Sequence, residues 1–275
     1  ALLDRVISED LATGDPTTEI LIPSDLQGTG MIFTEEPGVL CGGEIAISAF
    51  RRVEPALEVK LFLGEGTRMG ARDIIARVDG PMAGIIRGER LVLNIIQHLS
   101  GISTEVARYV EAVADLSARI VDTRKTIPGL RALEKYAVRI GGGHNHRCSL
   151  GDGVLVKDNH IAALRGAGLK LGQVVKLALD GAPCNLTVEV EVTNLVEAEE
   201  AIAAGAQFLL LDNMALEEVR GVVQVAQGRA VLEASGGVTL ETIHAVAETG
   251  VDFISVGALT HSVKALDVSM DVKAD

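Results

Sequence analysis

The sequence predicts an α/β protein: a parallel α/β barrel of successive βα units, preceded by an N-terminal α+β module of mostly antiparallel strands. Three observations predict it. From about residue 118, short aliphatic or β-branched runs ending in polar residues alternate with Ala/Leu/Glu-rich stretches, the pattern of right-handed βαβ units. The later units recur at a near-constant spacing, which favours closure into a barrel. The first hundred residues lack this alternation and are cut into short runs by Gly and Pro.

In the first module, Asp15-Pro16 and Ile22-Pro23 mark turns, and 28–41 reads as strand–turn–strand around Glu36-Pro37-Gly38. Residues 44–53 have helical spacing, and 57–63 and 73–78 read as strands flanked by Gly64, Gly66 and Gly70. Such glycine-punctuated hairpins resemble a lipoyl-type module, but no Lys sits at a hairpin tip, which removes that reading. A long helix over about 86–114, disturbed at Ser100-Gly101, is expected to cross a domain boundary near residue 100. The expected division is an N-terminal domain at 1–100, a barrel at 101–261, and a tail at 262–275 that packs back on the first domain. Barrel strands are expected at 118–122, 153–157, 186–192, 208–212, 230–234 and 252–256. Helices are expected at 129–140, 171–179, 195–204, 216–227 and 240–249.

Charge is distributed unevenly. The net charge is −13, yet residues 122–160 hold seven Lys and Arg against four Asp and Glu, with three of the six histidines. Cations gathered beside glycines in an acidic protein build a site for a small polyanion. The acidic remainder argues against a nucleic-acid track, and the absence of Trp with 3% aromatics argues against base-stacking platforms. No apolar run has the length of a membrane helix, no cleavable-signal pattern opens the sequence, and Cys41, Cys148 and Cys184 lack metal-ligand spacing. A cytoplasmic protein without membrane or nucleic-acid partners is expected.

In a parallel barrel the chemistry sits at the C-terminal strand ends. Those ends deliver Asp122 with Arg124 and Lys125, then Lys157-Asp-Asn-His160, Glu189 and Glu191, Asp212-Asn213, Ser235-Gly236-Gly237, and Gly257-Ala258. Arg124, Arg147, Lys157 and His146 are cations suited to carboxylates or phosphates. Glu191 and Asp212 suit a divalent metal or positive charge growing on a sugar ring. Backbone N–H groups at the helix starts after Ser235-Gly236-Gly237 and Gly257-Ala258 suit a phosphate. Blander readings accompany these. Arg131, Lys135 and Arg139 at helical spacing read as a solvated face, and Asp122 and Asp158 as orienting or capping groups. His144 and His146 share strand-face spacing that could serve zinc but lack a third ligand, and alternation cannot separate Glu189 from Glu191. His98 and His244 read as ordinary helix residues. Gly141-Gly-Gly143 reads as a helix cap, and Arg90 with Asn94 and Gln97 as a surface stripe.

Taken in order along the chain, these segments closely resemble the quinolinate phosphoribosyltransferase family (nicotinate-nucleotide pyrophosphorylase, carboxylating). The resemblance runs through Glu9-Asp10, Gly14-Asp15, Gly88-Glu-Arg-Leu-Val-Leu-Asn94, His98-Leu-Ser-Gly-Ile102 and Asp122-Thr-Arg-Lys-Thr. It continues through Glu134-Lys-Tyr-Ala-Val, Gly141-Gly-Gly, Asn145-His-Arg147, Lys157-Asp-Asn-His160, Leu211-Asp-Asn213, Glu233-Ala-Ser-Gly-Gly237 and Gly257-Ala-Leu-Thr-His261. It implies joining of quinolinate to 5-phosphoribosyl 1-pyrophosphate with Mg²⁺, giving nicotinate mononucleotide, pyrophosphate and CO₂. It also implies an α/β fold, an incomplete TIM-like α/β barrel of six to seven strands with an N-terminal α+β open-faced sandwich domain, and a homodimer, or a higher oligomer, with shared active sites. By position, Thr123, Arg124, His146, Arg147 and Lys157 would hold quinolinate, with Arg90 entering from the other subunit. Lys125, Glu191 and Asp212 would face ribose, pyrophosphate and metal, with Lys157 counted beside them as catalytic. Ser235, Gly236, Gly237, Gly257, Ala258 and His261 would line the 5-phosphate pocket. Cys148-Ser149 departs from the family's larger apolar residue followed by Gly, which puts the shape of that loop in question. A metal-associated paralogue of the fold tends to lack the Lys157-Asp-Asn-His160 signature that is intact here. Three rivals carry different tests: a Schiff-base aldolase through Lys157, a non-catalytic phosphate sensor, and the same chemistry on nicotinate.

Overall fold

A computed structural model describes residues 2–275. Five strands precede the long helix: β1 (Gln27–Thr34), β2 (Gly38–Val39), β3 (Glu58–Leu61), β4 (Arg68–Met69) and β5 (Ile74–Pro81). Six follow it: β6 (Arg119–Val121), β7 (Val154–Val156), β8 (Val188–Val192), β9 (Phe208–Asp212), β10 (Val231–Ser235) and β11 (Phe253–Ser255). The last strand is β12 (Val268–Ala274). The described residues divide into two compact units, one of residues 2–105, 139–141 and 262–275, the other of 106–138 and 142–261.

The first unit is antiparallel, in the order β12-β1-β5-β3, with β2 and β4 forming a separate pair. The strand–turn–strand expected over 28–41 is therefore not a hairpin: β1 and β2 lie in different sheets. The reason is that β1 has both edges taken, by β5 and by β12. Phe50, Ile32, Ile75 and Ile85 are fully buried in its core.

The long helix runs Met82–Glu111 without the disturbance expected at Ser100-Gly101. Ser100 Oγ donates to the Cys41 carbonyl and accepts the Cys41 amide, so it works sideways rather than against its own helix. A Cβ on Gly101 would meet the Lys264 carbonyl at 2.4 Å. The glycine there permits close backbone approach and is no hinge.

The second unit is a parallel sheet in the order β6-β11-β10-β9-β8-β7. Val121 of β6 also bridges His144 in parallel, a seventh strand reduced to one residue. β6 and β7 are not paired with each other, so the barrel is incomplete, with its seam beside residues 144–154. Every residue of β8, including Glu189 and Glu191, is buried. No described helix is long and apolar enough to cross a membrane.

Candidate active site

The site grows from the end of β6. Asp122 is fully buried. Its carboxylate accepts Lys135 Nζ, Asn145 Nδ2 at 2.6 Å and the His146 amide at 2.9 Å. Lys135 Nζ also donates to the His146 carbonyl at 2.9 Å. One ion pair thus fastens helix Arg131–Ile140 and the 145–147 segment to a strand end. Burial raises the Asp122 pKa, and the lysine beside it works the other way. Lys135 therefore corrects the solvated-face expectation: Arg139 is exposed and Lys135 is buried. Helical spacing could not see that Asp122 claims the middle member of the row.

Arg124 and Arg147 follow on either side. Arg124 Nε is buried and has no hydrogen-bond partner among the described residues. Arg147 donates to the Gly153 carbonyl at 3.0 Å, and burial followed by the neighbouring Arg124 charge lowers its pKa. Two half-buried guanidinium groups repel across a space that an anion would neutralise.

His146 needs a correction to its expected role as a free cation. Its Nδ1 accepts the Arg147 amide at 2.8 Å, and its Nε2 lies 2.9 Å from Glu189 Oε2 and 3.6 Å from Glu233 Oε2. The Glu189 hydrogen bond first, then the Glu233 and Glu189 charges, raise its pKa against burial, while its Nδ1 is already taken as an acceptor. A second proton on Nδ1 would cost the Arg147 amide its acceptor, so the geometry assigns one proton, on Nε2. His146 thus buttresses Arg147 and Glu189. The same tautomer leaves no Nε2 lone pair for a metal, although His146, Glu189 and Glu233 place ligand atoms within 4.8 Å of one another. His144 is exposed and does not share a site with it.

Opposite stand the carboxylates that alternation could not separate. Glu189 faces the barrel interior beside His146, whereas Glu191 reaches the rim. Glu191 Oε2 is 3.8 Å from the half-exposed Lys157 Nζ, and Oε1 accepts the Asp158 amide at 3.3 Å. Burial raises the Glu191 pKa first, and the Asp212 and Asp158 charges add to it. Asp212, at the end of β9, accepts Asn213 Nδ2 at 2.8 Å. Two hard oxygen donors on adjacent strand ends that repel one another fit a magnesium ion.

The glycine turns close the rim. Gly236 has φ +97 and Gly237 φ +60, and a Cβ on Gly236 would lie 2.2 Å from Asn213 Oδ1, so only glycine fits. No helix starts there, contrary to expectation, since the next begins at Ile243. Gly257 does directly precede a short helix, Ala258–His261. A Cβ on it would lie 3.0 Å from Lys125 Cδ and 3.2 Å from the His261 ring, so the lysine stem passes over bare backbone. Thr260 Oγ1 donates to the Lys125 carbonyl at 2.7 Å and fixes that crossing. The Lys125 amide donates to Thr123 Oγ1 at 3.0 Å.

A single cavity is lined by Thr123, Arg124, Lys125, His146, Arg147, Lys157, Glu191, Asp212 and Ser235. Arg90 belongs to the first unit, on the Met82–Glu111 helix, with its side chain exposed. Sequence reasoning missed Glu233, which lines the same cavity. It lies two residues before Ser235 on β10, so strand alternation already pointed it inward.

Fold and pocket define a parallel α/β barrel with a cation-rich cavity at the C-terminal ends of its strands. Residues 15–100 match the model of the quinolinate phosphoribosyl transferase N-terminal domain, and residues 102–271 that of the C-terminal domain. A probable nicotinate-nucleotide pyrophosphorylase (carboxylating) of Bacillus subtilis strain 168 is 42% identical over 271 residues, 98% of this chain and 92% of its own. Its counterpart from Mycobacterium leprae is 40% identical over 98% of this chain and 95% of its own. The crystal structure of NadC from Streptococcus pyogenes superposes with a TM-score of 0.94 at 37% identity, covering 99% of this chain and 95% of that one. The chain belongs to the quinolinate phosphoribosyl transferase family.

Proposed function

We propose that this protein transfers the phosphoribosyl group of 5-phosphoribosyl 1-pyrophosphate to quinolinate with decarboxylation. The products are nicotinate mononucleotide, pyrophosphate and CO₂, a step of de novo NAD formation in the cytoplasm. The observation that carries the reading is the pair Arg124 and Arg147, half-buried and mutually repelling, with the Arg124 Nε unpartnered. They sit in the cavity that also holds Lys157, Glu191 and Asp212. A dicarboxylate supplies the two negative groups these cations lack.

Arg124, Arg147 and Lys157 hold the two carboxylates, with Thr123 beside them and His146 keeping Arg147 in place. The pyridine nitrogen attacks the anomeric carbon as pyrophosphate departs past Lys125. Glu191 and Asp212 face the oxocarbenium-like ribose and stabilise its charge. They would also hold Mg²⁺, which when bound neutralises pyrophosphate oxygens. Ser235, Gly236, Gly237, Gly257, Ala258 and His261 receive the 5-phosphate. Arg90 enters from a second copy of the chain in a homodimer.

Pyrophosphate release tests the acceptor. Quinolinate should support it and nicotinate should not; equal release with both would move the assignment to a monocarboxylate acceptor, and none with either would favour the sensor. Subunit sharing is tested by mixing Arg90→Ala with Lys157→Ala. Each alone should be nearly inactive, and recovery of about a quarter of the activity is expected from mixed dimers with one intact site. No recovery after verified subunit exchange would remove the shared site.

A further inference from the structure

Below the rim the cavity has a floor that the proposed chemistry leaves idle. Glu233 is 6% exposed. It borders both the rim cavity, with Arg124, Arg147 and Lys157, and the adjoining barrel cavity, with Glu189 and His146. Its Oε1 is buried without a hydrogen-bond partner among the described residues. Its Oε2 lies 3.6 Å from His146 Nε2, but that N–H is committed to Glu189 at 2.9 Å. Glu189 therefore holds the negative charge that the imidazole can satisfy. A second carboxylate in the same enclosure has only the Ser255 hydroxyl beside it, a neutral donor, and is held best as the neutral acid.

We infer that Glu233 is the general acid of this reaction, giving its carboxyl proton to the pyridine carbon that loses CO₂. The inference rests on the reading of the site as a quinolinate phosphoribosyl transferase. When the C–C bond to the departing carboxyl breaks, its electron pair stays on the ring carbon and CO₂ leaves. The Glu233 O–H bond then breaks, its proton forms the new C–H bond, and Glu233 is left as carboxylate. Water reaching the cavity returns one proton to it, so each turnover consumes one proton. Without a donor the ring carbanion recaptures CO₂, which gives the acid its kinetic weight.

The surroundings fit this role. Burial first, and then the Glu189 charge, raise the Glu233 pKa to about 7, with Asp122 adding to the rise and His146 and Ser255 opposing it. Glu233 shares its cavity with Arg124, Arg147 and Lys157, the side chains that hold the substrate carboxylates in the proposed reading. A group titrating near neutrality is well matched to proton donation there.

The test is a single turnover with quinolinate, phosphoribosyl pyrophosphate and Mg²⁺, following pyrophosphate and CO₂ separately. Glu233→Gln should release pyrophosphate at close to the wild-type rate and CO₂ about 10²- to 10³-fold more slowly. Wild-type kcat should fall above about pH 7, Glu233→Gln should show no such fall, and Glu233→Asp should recover part of the CO₂ rate. Equal CO₂ rates in Glu233→Gln and wild type would overturn the inference. So would pyrophosphate and CO₂ slowing together with the pH profile unchanged, the mark of a structural role. If Glu233→Gln does not fold, the wild type decides: a solvent deuterium isotope effect on CO₂ release is expected, and its absence overturns the inference. A wild type that releases neither product would instead strike the reading of the whole site.

Discussion

The rim of the site and the floor beneath it handle charge in opposite ways. On the rim, Arg124, Arg147 and Lys157 stand with incomplete protein partners: Arg124 Nε has none among the described residues, and Lys157 is 3.8 Å from Glu191 and half exposed. On the floor the charges are met within the protein: Asp122 by Lys135 and Asn145, and Glu189 by His146, while burial and the Glu189 charge press Glu233 toward its neutral form. Desolvation explains the difference. A fully buried ion without a partner costs several kcal/mol, whereas a half-exposed one can await a ligand. The floor is therefore self-sufficient structure and the rim is unmet demand.

This contrast can be broken by substitution. Lys135→Ala strands the Asp122 carboxylate and should cost about 3–5 kcal/mol of stability in urea unfolding; a loss under 1 kcal/mol would show that the floor is wet. Arg124→Ala or Arg147→Ala should leave stability nearly unchanged and lower kcat/KM for quinolinate by about 10²-fold or more. Phosphoribosyl pyrophosphate affinity should change far less, and equal losses for both substrates would contradict the division of the rim.

A smaller effect concerns pH. The folded-state pKa of Glu233 lies above the unfolded value, at about 7 against 4.5, so the folded protein binds the extra proton between those values. Its contribution to stability is full below the lower value and lost as pH rises through the upper one. Glu233→Gln should therefore be more stable than wild type at pH 8, by roughly 3 kcal/mol, and the gain should vanish near pH 4. A constant difference in Tm across that range would remove the buried acid. The smallest effect belongs to the loop carrying Arg147. Ser149 Oγ accepts the Gly151 amide at 3.2 Å, and Asp152 accepts the Cys148 and Ser149 amides at 2.9 and 2.8 Å. Ser149→Ala should cost about 1 kcal/mol and raise KM for quinolinate only a few-fold; an unchanged Tm would show that Asp152 alone shapes the turn.

Much of this was legible in the sequence because barrel strands and helices are local patterns. The strand expected at 208–212 matches β9 residue for residue, and the helix at 195–204 ends one residue early. The rim was legible too, since strand-end residues in a parallel barrel converge whatever the details of packing. What failed was non-local. Lys135 looks like its neighbours Arg131 and Arg139 until Asp122, thirteen residues earlier, is placed against it. The pairing of β1 with β12 spans nearly the whole chain and leaves no trace in residues 28–41. Gly101 reads as a helix breaker because its reason, the Lys264 backbone, is remote. Glu233 had the right alternation, but a lone Glu before Ser235-Gly-Gly carries no mark of its neighbours Glu189 and His146.

Carbon dioxide is the product that separates this chemistry from every rival considered. Folded protein mixed with quinolinate, phosphoribosyl pyrophosphate and Mg²⁺ should evolve CO₂ in equal amount with pyrophosphate, and omission of either substrate should abolish both. Pyrophosphate without CO₂, or no gas above background from folded protein, would contradict the assignment of the Arg124–Arg147 rim to a dicarboxylate that is decarboxylated where it binds.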